Sequence, residues 1–166
     1  MKLSFGIAIV SISVCFAAPP SSSSRTISAF ETSMLYKKLG RAQKSSWALK
    51  TGGTNNSYLF VDPENGDSQP SLGMELPTVG SQVVSASISW SPFDSKVKMT
   101  PKKEEHIRLL LQYWGTPELA AQVISYVRSN FRTRRPNSVG ASSKVRIGSI
   151  SVQCGETGGD VTLIVS

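Results

Sequence analysis

The sequence predicts an α+β fold in which a mixed or antiparallel sheet packs against an N-terminal helix and a C-terminal helical hairpin. Three observations carry this. Val84, Ala86, Ile88 and Trp90 alternate with Ser85, Ser87 and Ser89, the two-residue period of a strand with one apolar and one hydroxylic face. Ile107, Leu110, Leu111 and Trp114, followed by Ala120, Val123, Ile124, Val127 and Phe131, recur at helical spacing. Apolar runs at 145–154 and 161–165 then return the chain to two strands. At 166 residues and 39% hydrophobic content the chain has one domain's length and enough apolar surface for a core, so 1–166 reads as a single domain.

Residues 1–18 support two readings. Lys2, the apolar run at 3–16 and the Cys15-Phe16-Ala17 step have the form of a secretory signal, whose removal would take residues 1–17. Within the same run Leu3, Phe5, Ile7 and Ile9 alternate with smaller residues, and Val10, Ile12, Val14 and Phe16 alternate in the opposite phase. That is the pattern of a first core strand with a one-residue bulge. The run is too short and too serine-rich for a membrane-spanning helix.

A flexible connector at 19–24 leads to Ser28-Ala29-Phe30-Glu31, which has capping-box form and predicts a helix that runs to Leu39 and stops at Gly40. Residues 47–50 predict a short strand before a Gly52-Gly53 turn, and 58–61 a second one that Asp62-Pro63 ends. The stretch 63–80 is dense in Pro, Gly and Ser and predicts a long loop. Thr100-Pro101 and Thr116-Pro117 each pair an N-cap hydroxyl with a proline where a helix needs no N–H, so both predict helix starts, with Gly115 turning the chain between them. The glycine-rich 155–160 joins the last two strands as a hairpin loop.

Chemistry-bearing constellations are missing. His106, the single histidine, has no Cys or His at ligand spacing and predicts a solvated side chain rather than a metal ligand or a general base. Glu104 and Glu105 are adjacent on a helix, so their side chains diverge, and acids in a first turn are explained by the helix dipole. Residues 155–160 lack the lysine and the following helix of a phosphate-cradling loop. The sequence therefore predicts no enzyme, no metal and no cofactor. Two cysteines, Cys15 and Cys154, cannot supply a multi-bridge framework and favour a reducing compartment; Cys154 lies in an apolar strand pattern and predicts a buried small hydrophobe.

Charge says more. Eighteen Lys and Arg against 11 Asp and Glu give a formal net charge of +7, a field that attracts phosphates and anionic headgroups. Lys37, Lys38, Arg41 and Lys44 gather at the end of the first helix, and Arg128, Arg132, Arg134 and Arg135 at the end of the last, with no acid within either run. Cations at a helix C-terminus are stabilised by the dipole, but two such clusters exceed what capping asks for. Neither is interleaved with aromatics, as a base-stacking platform would be, and no zinc-finger, RRM or basic-zipper pattern is present. These eight residues predict contact with an anionic membrane surface or a nucleic-acid backbone, without sequence readout.

An alternating segment at 3–16, Pro19-Pro20, Arg25-Thr26-x-Ser28 before a helix, Gly40-Arg41-Ala42-Gln43-Lys44 ahead of Trp47, a long Pro/Gly stretch, a central strand at 83–90 and a helical part at 100–131 follow in this order. That layout resembles the rhabdovirus matrix proteins, and in size the shorter plant-infecting members. The resemblance implies a virion structural protein that self-associates as a homo-oligomer, condenses the nucleocapsid and contacts the inner face of a host membrane. The chain departs from the family in having no Pro-Pro-x-Tyr budding motif and no lysine-rich N-terminal tail. A reading from another class is a secreted basic binding protein or effector with 1–17 cleaved, for which Asn55-Asn56-Ser57 is a glycan acceptor triplet.

Overall fold

Alternation along the strands produces a sheet with two unlike faces, and the helices bury one of them. The computed structural model describes residues 25–61, 70–90, 99–133, 142–157 and 160–166. Over these the chain forms α1 (Ile27–Thr32), α2 (Met34–Leu39), β1 (Ala42–Ala48), β2 (Thr54–Val61), β3 (Pro70–Val79), β4 (Gln82–Val83), β5 (Ala86–Trp90), α3 (Pro101–Trp114), a 3-10 turn (Pro117–Leu119), α4 (Ala120–Thr133), β6 (Ser142–Ile147), β7 (Ile150–Thr157) and β8 (Asp160–Val165). The strands make one eight-stranded sheet in the order β1-β2-β3-β5-β8-β7-β6, with β4 paired to β3, and every pairing is antiparallel. The mixed α and β content and the antiparallel sheet are as the sequence predicts.

On the inner face Tyr58 and Phe60 of β2, Leu72, Met74 and Leu76 of β3, Ile88 and Trp90 of β5, Leu163 of β8 and Val152 of β7 are buried. They share one core cluster with Phe30 of α1, Leu35 and Leu39 of α2, the Ile107-Leu110-Leu111-Trp114 stripe of α3 and Val123, Ile124 and Val127 of α4. The outer face is hydroxylic: one register row reads Ser45, Ser57, Glu75, Ser87, Ile164, Gln153, Lys144 across the sheet.

Several sequence expectations are corrected. The helical hairpin is not C-terminal: β6, β7 and β8 follow it, and β8 inserts in mid-sheet beside β5. The first helix is two helices. Thr26 caps α1 by accepting from the Ala29 N–H at 3.1 Å, while Ser33, at ψ 160°, breaks the chain direction, accepts from the Tyr36 N–H at 3.2 Å and donates to the Phe30 carbonyl at 2.6 Å. Glu31 is drawn elsewhere, so no capping box forms. Gly40 ends α2 as expected.

The expected 63–80 loop contains β3, at 10 residues the longest described strand. Leu72, Met74, Leu76 and Thr78 alternate inward, while Gly73, Glu75 and Pro77 fall on the outer face, which asks for no apolar packing. Pro70 opens the strand, a position where a missing N–H costs little. Strand β1 begins at Ala42 rather than at residue 47 and takes Lys44 with it. The turn after it lies where expected, and Gly53 is required there: at φ 92° a Cβ would sit 2.0 Å from the Thr78 carbonyl oxygen. The run 145–154, expected as one strand, is a hairpin of β6 and β7 about Gly148, φ 56°. Thr100 caps α3 on the Lys103 N–H at 3.3 Å, but Thr116 makes no capping bond; it is buried, and Pro117 begins a 3-10 turn rather than α4 itself. The expected N-terminal strand or signal and the 19–24 connector lie outside the described residues, as does the side chain of Phe131.

Candidate anion-binding surface

The first basic run is dispersed by the fold. Lys37 and Lys38 occupy the last turn of α2, where cations meet the negative end of the dipole. Lys38 Nζ reaches Glu105 of α3 at 3.2 Å. Arg41 is exposed in the link to β1. Lys44 sits on the helix side of β1, opposite Tyr58, and its Nζ donates to Glu31 Oε1 at 2.9 Å; the Tyr58 hydroxyl donates to the same oxygen at 2.9 Å. The Tyr36 and Tyr58 rings stand 5.5 and 5.8 Å from the ammonium. This arrangement holds the Glu31 carboxyl below its ordinary value, chiefly through the Lys44 hydrogen bond, and raises Lys44 through the same bond. Burial, followed by the Glu31 contact, pushes the Tyr58 hydroxyl up. Lys44 thus ties β1 to α1.

Of the second run the structure describes Arg128 and the backbone of Arg132. Arg128 of α4 donates to Glu104 of α3, which also pairs with Arg108 at 3.7 Å, one turn along its own helix. A contact between the start of one helix and the later turns of the other, across a five-residue link, makes the hairpin antiparallel. Its open pole therefore brings together Lys102 and Lys103 of α3 with Arg128 and the last turn of α4, which includes Arg132. The Arg132 side chain, Arg134 and Arg135 lie outside the described residues; the latter two directly follow α4. Lys103 is half-buried and its ammonium is held below the ordinary lysine value by burial. Two lysines in a first turn run against the helix dipole, which favours acids there, so capping does not account for them. The sequence reading missed both, although an antiparallel hairpin always sets the start of its first helix beside the end of its second.

Other groups singled out earlier serve the fold. His106 is buried, not solvated: the Trp90 indole N–H donates to its Nδ1 at 3.3 Å, an acceptor that a buried indole needs. Glu104 and Glu105 clamp α3 to α4 and α2 as well as facing the dipole. Cys154 is buried, as expected. Asn55, the acceptor of the glycan triplet, is 4% exposed inside β2, where no glycan has room. A cleft of about 210 Å³ between α1, α2 and α3, lined by Ala29, Ser33, Met34, Leu35, Leu109, Gln112 and Tyr113, has no charged lining residue and is no anion site. Tyr113 there is pushed up to about 12 by burial. Among the described residues no three His, Cys, Asp or Glu cluster as metal ligands, and no helix is long and apolar enough to cross a membrane.

The chain was compared with protein-family models, with curated proteins and with solved structures, and nothing matches in any of the three.

Proposed function

We propose that this protein is a non-enzymatic structural protein of the viral matrix type, bridging the nucleocapsid and the inner face of a host membrane through the basic pole of the α3–α4 hairpin and self-associating as it does so. The observation that carries the reading is the antiparallel hairpin, which sets Lys102 and Lys103 at the start of α3 on the same pole as Arg128 and the last turn of α4, with Arg134 and Arg135 next in the chain. A cation near an anionic membrane contributes about 1 kcal/mol, and one that neutralises a phosphate adds about 0.7–0.9 to the log–log salt slope, so such a pole binds polyanions without reading their sequence.

The test is liposome flotation and RNA retention with the full chain at about 50 and 300 mM salt, a range over which screening decides the outcome. Changing Arg132, Arg134 and Arg135 to Glu is expected to abolish binding at low salt while the melting transition is kept. Binding that survives the triple change, or ignores salt in the wild type, sinks the reading. The competing export reading is decided by the N-terminal sequence of the purified protein: a chain that starts at Ala18 is a secreted one.

A further inference from the structure

Among the described residues the sheet has two edges, β1 and β6, and they are built differently. On β6 the outward residues Lys144 and Arg146 are exposed cations, the device by which edge strands are kept from pairing with other chains. On β1 that device is missing. Of its seven residues only Lys44 is charged, and the helix side holds it on Glu31; Gln43, Ser45 and Trp47 point outward, and the strand is exposed along nearly its whole length. It contains no proline, and its pairing with β2 runs without a bulge.

We propose that β1 is the self-association surface: it pairs antiparallel with β1 of a second copy across a two-fold axis at Ser45, continuing the sheet from one molecule into the other. The inference rests on the self-associating part of the proposed reading but uses a surface separate from the basic pole. Charge selects the occupant. At β6 two copies would bring Lys144 and Arg146 against the same cations of the other; along β1 the one cation, Lys44, is already paired to Glu31. Symmetry fits as well. About Ser45, Ala42 lies opposite Ala48 of the second copy, Gln43 opposite Trp47 and Lys44 opposite Ser46, so all seven residues pair, and the two Lys44, diagonal to one another, are each held on the Glu31 of their own molecule.

The same register covers two exposed apolar side chains. Trp47 is 46% and Leu59 42% exposed on the outer face, and Gln43 is paired to Leu59 within one molecule. Trp47 of the second copy then lies opposite Gln43, in the row that continues to Leu59, and the two-fold repeats the arrangement. One strand pair is small beside the roughly 1,200–2,000 Å² of a stable interface, so the dimer forms and dissociates with concentration.

Sedimentation equilibrium on the full chain over a concentration series tests this. The wild type is expected to reach a dimer. Ser45→Lys and Ser45→Asp, each placing like charges across the axis at an exposed position, weaken it by about tenfold or more, with unchanged melting. A mixture of the two variants restores it, because the axis now opposes Lys to Asp. A wild type that stays monomeric, a Ser45→Lys variant that dimerises like the wild type, or a mixture that fails to associate overturns the proposal. Hydrogen exchange decides the occupant: protection of β1 amides that rises with concentration supports a second copy, whereas protection in the monomer means another part of the chain itself holds the edge, and overturns it. RNA and liposome binding by Ser45→Lys is measured alongside, so loss of the dimer and loss of polyanion binding are read separately.

Discussion

Two runs of four cations each in the sequence are placed differently by the fold. At the first, Lys38 and Lys44 are each taken up by an acid from another element, Glu105 and Glu31, and serve to hold α2 to α3 and β1 to α1. At the second, Arg128 pairs with Glu104, the antiparallel hairpin sets Lys102 and Lys103 at the same pole, and Arg132, Arg134 and Arg135 follow Arg128 in the sequence. A run of cations along a chain is therefore not yet a surface. What decides is the acid that tertiary structure brings to each cation.

The largest effect tests the scaffold beneath both regions. Leu111 is fully buried at the centre of the α3 stripe, and Leu111→Ala is expected to cost about 2–5 kcal/mol as a core cavity, whereas Gln112→Ala, one residue on and exposed, costs little. Urea unfolding of the two variants measures the difference. Equal midpoints would remove the hairpin core on which the basic pole depends.

A smaller effect separates the structural cations from the binding ones. Glu31→Ala removes the acceptor of Lys44 and of the Tyr58 hydroxyl; Tyr58 is 3% exposed, so leaving its O–H unpaired costs about 1–3 kcal/mol. With the contact at the hairpin pole, as proposed, stability should fall while RNA retention does not. The pH dependence has a definite sign. The folded Glu31 carboxyl lies below its ordinary 4.5, so its contribution is present above that pH and is lost as pH falls through the lowered folded value. Lys44 is raised above 10.5, so its share is present below that pH and lost as pH rises through the folded value. Acid unfolding followed by tryptophan fluorescence is expected to be shallower in Glu31→Ala than in the wild type.

Much of this fold was legible because one face of each element had to be apolar. The alternation at Ala86, Ile88 and Trp90, the stripes of α3 and α4 and the stop at Gly40 all declare themselves by spacing. Strand β3 did not, because its outer positions accept Gly73, Glu75 and Pro77, and that composition conceals the alternation Leu72, Met74, Leu76. The β6–β7 turn was hidden in the opposite way, a Gly148-Ser149 pair inside a continuous apolar rhythm, although two residues of that type between alternating runs are themselves a hairpin signal. His106 lies four residues before Leu110 and seven before Tyr113, so a wider arc of α3 would have placed it inside. The ion pairs between elements were not legible: Glu31 lies 13 residues from Lys44 and Glu104 lies 24 from Arg128, separations at which only the folded chain decides who meets whom.

The smallest effect is also the sharpest, because it sets one region against the other at equal charge. Lys37→Gln and Lys102→Gln each remove a single unit from the formal +7, and both side chains are exposed, so both variants should fold and both weaken the far field equally. If binding is a property of the whole molecule's charge, the two lose affinity alike. Contact at the hairpin pole predicts a split: Lys102→Gln lowers the salt slope of RNA binding by about 0.7–0.9, one phosphate contact, and Lys37→Gln leaves it unchanged. The measurement is log affinity against log salt for the three proteins. Equal slopes for both variants would return the function to net charge alone, and a drop confined to Lys37→Gln would place the contact on α2, where the neighbouring Lys38 is paired with Glu105.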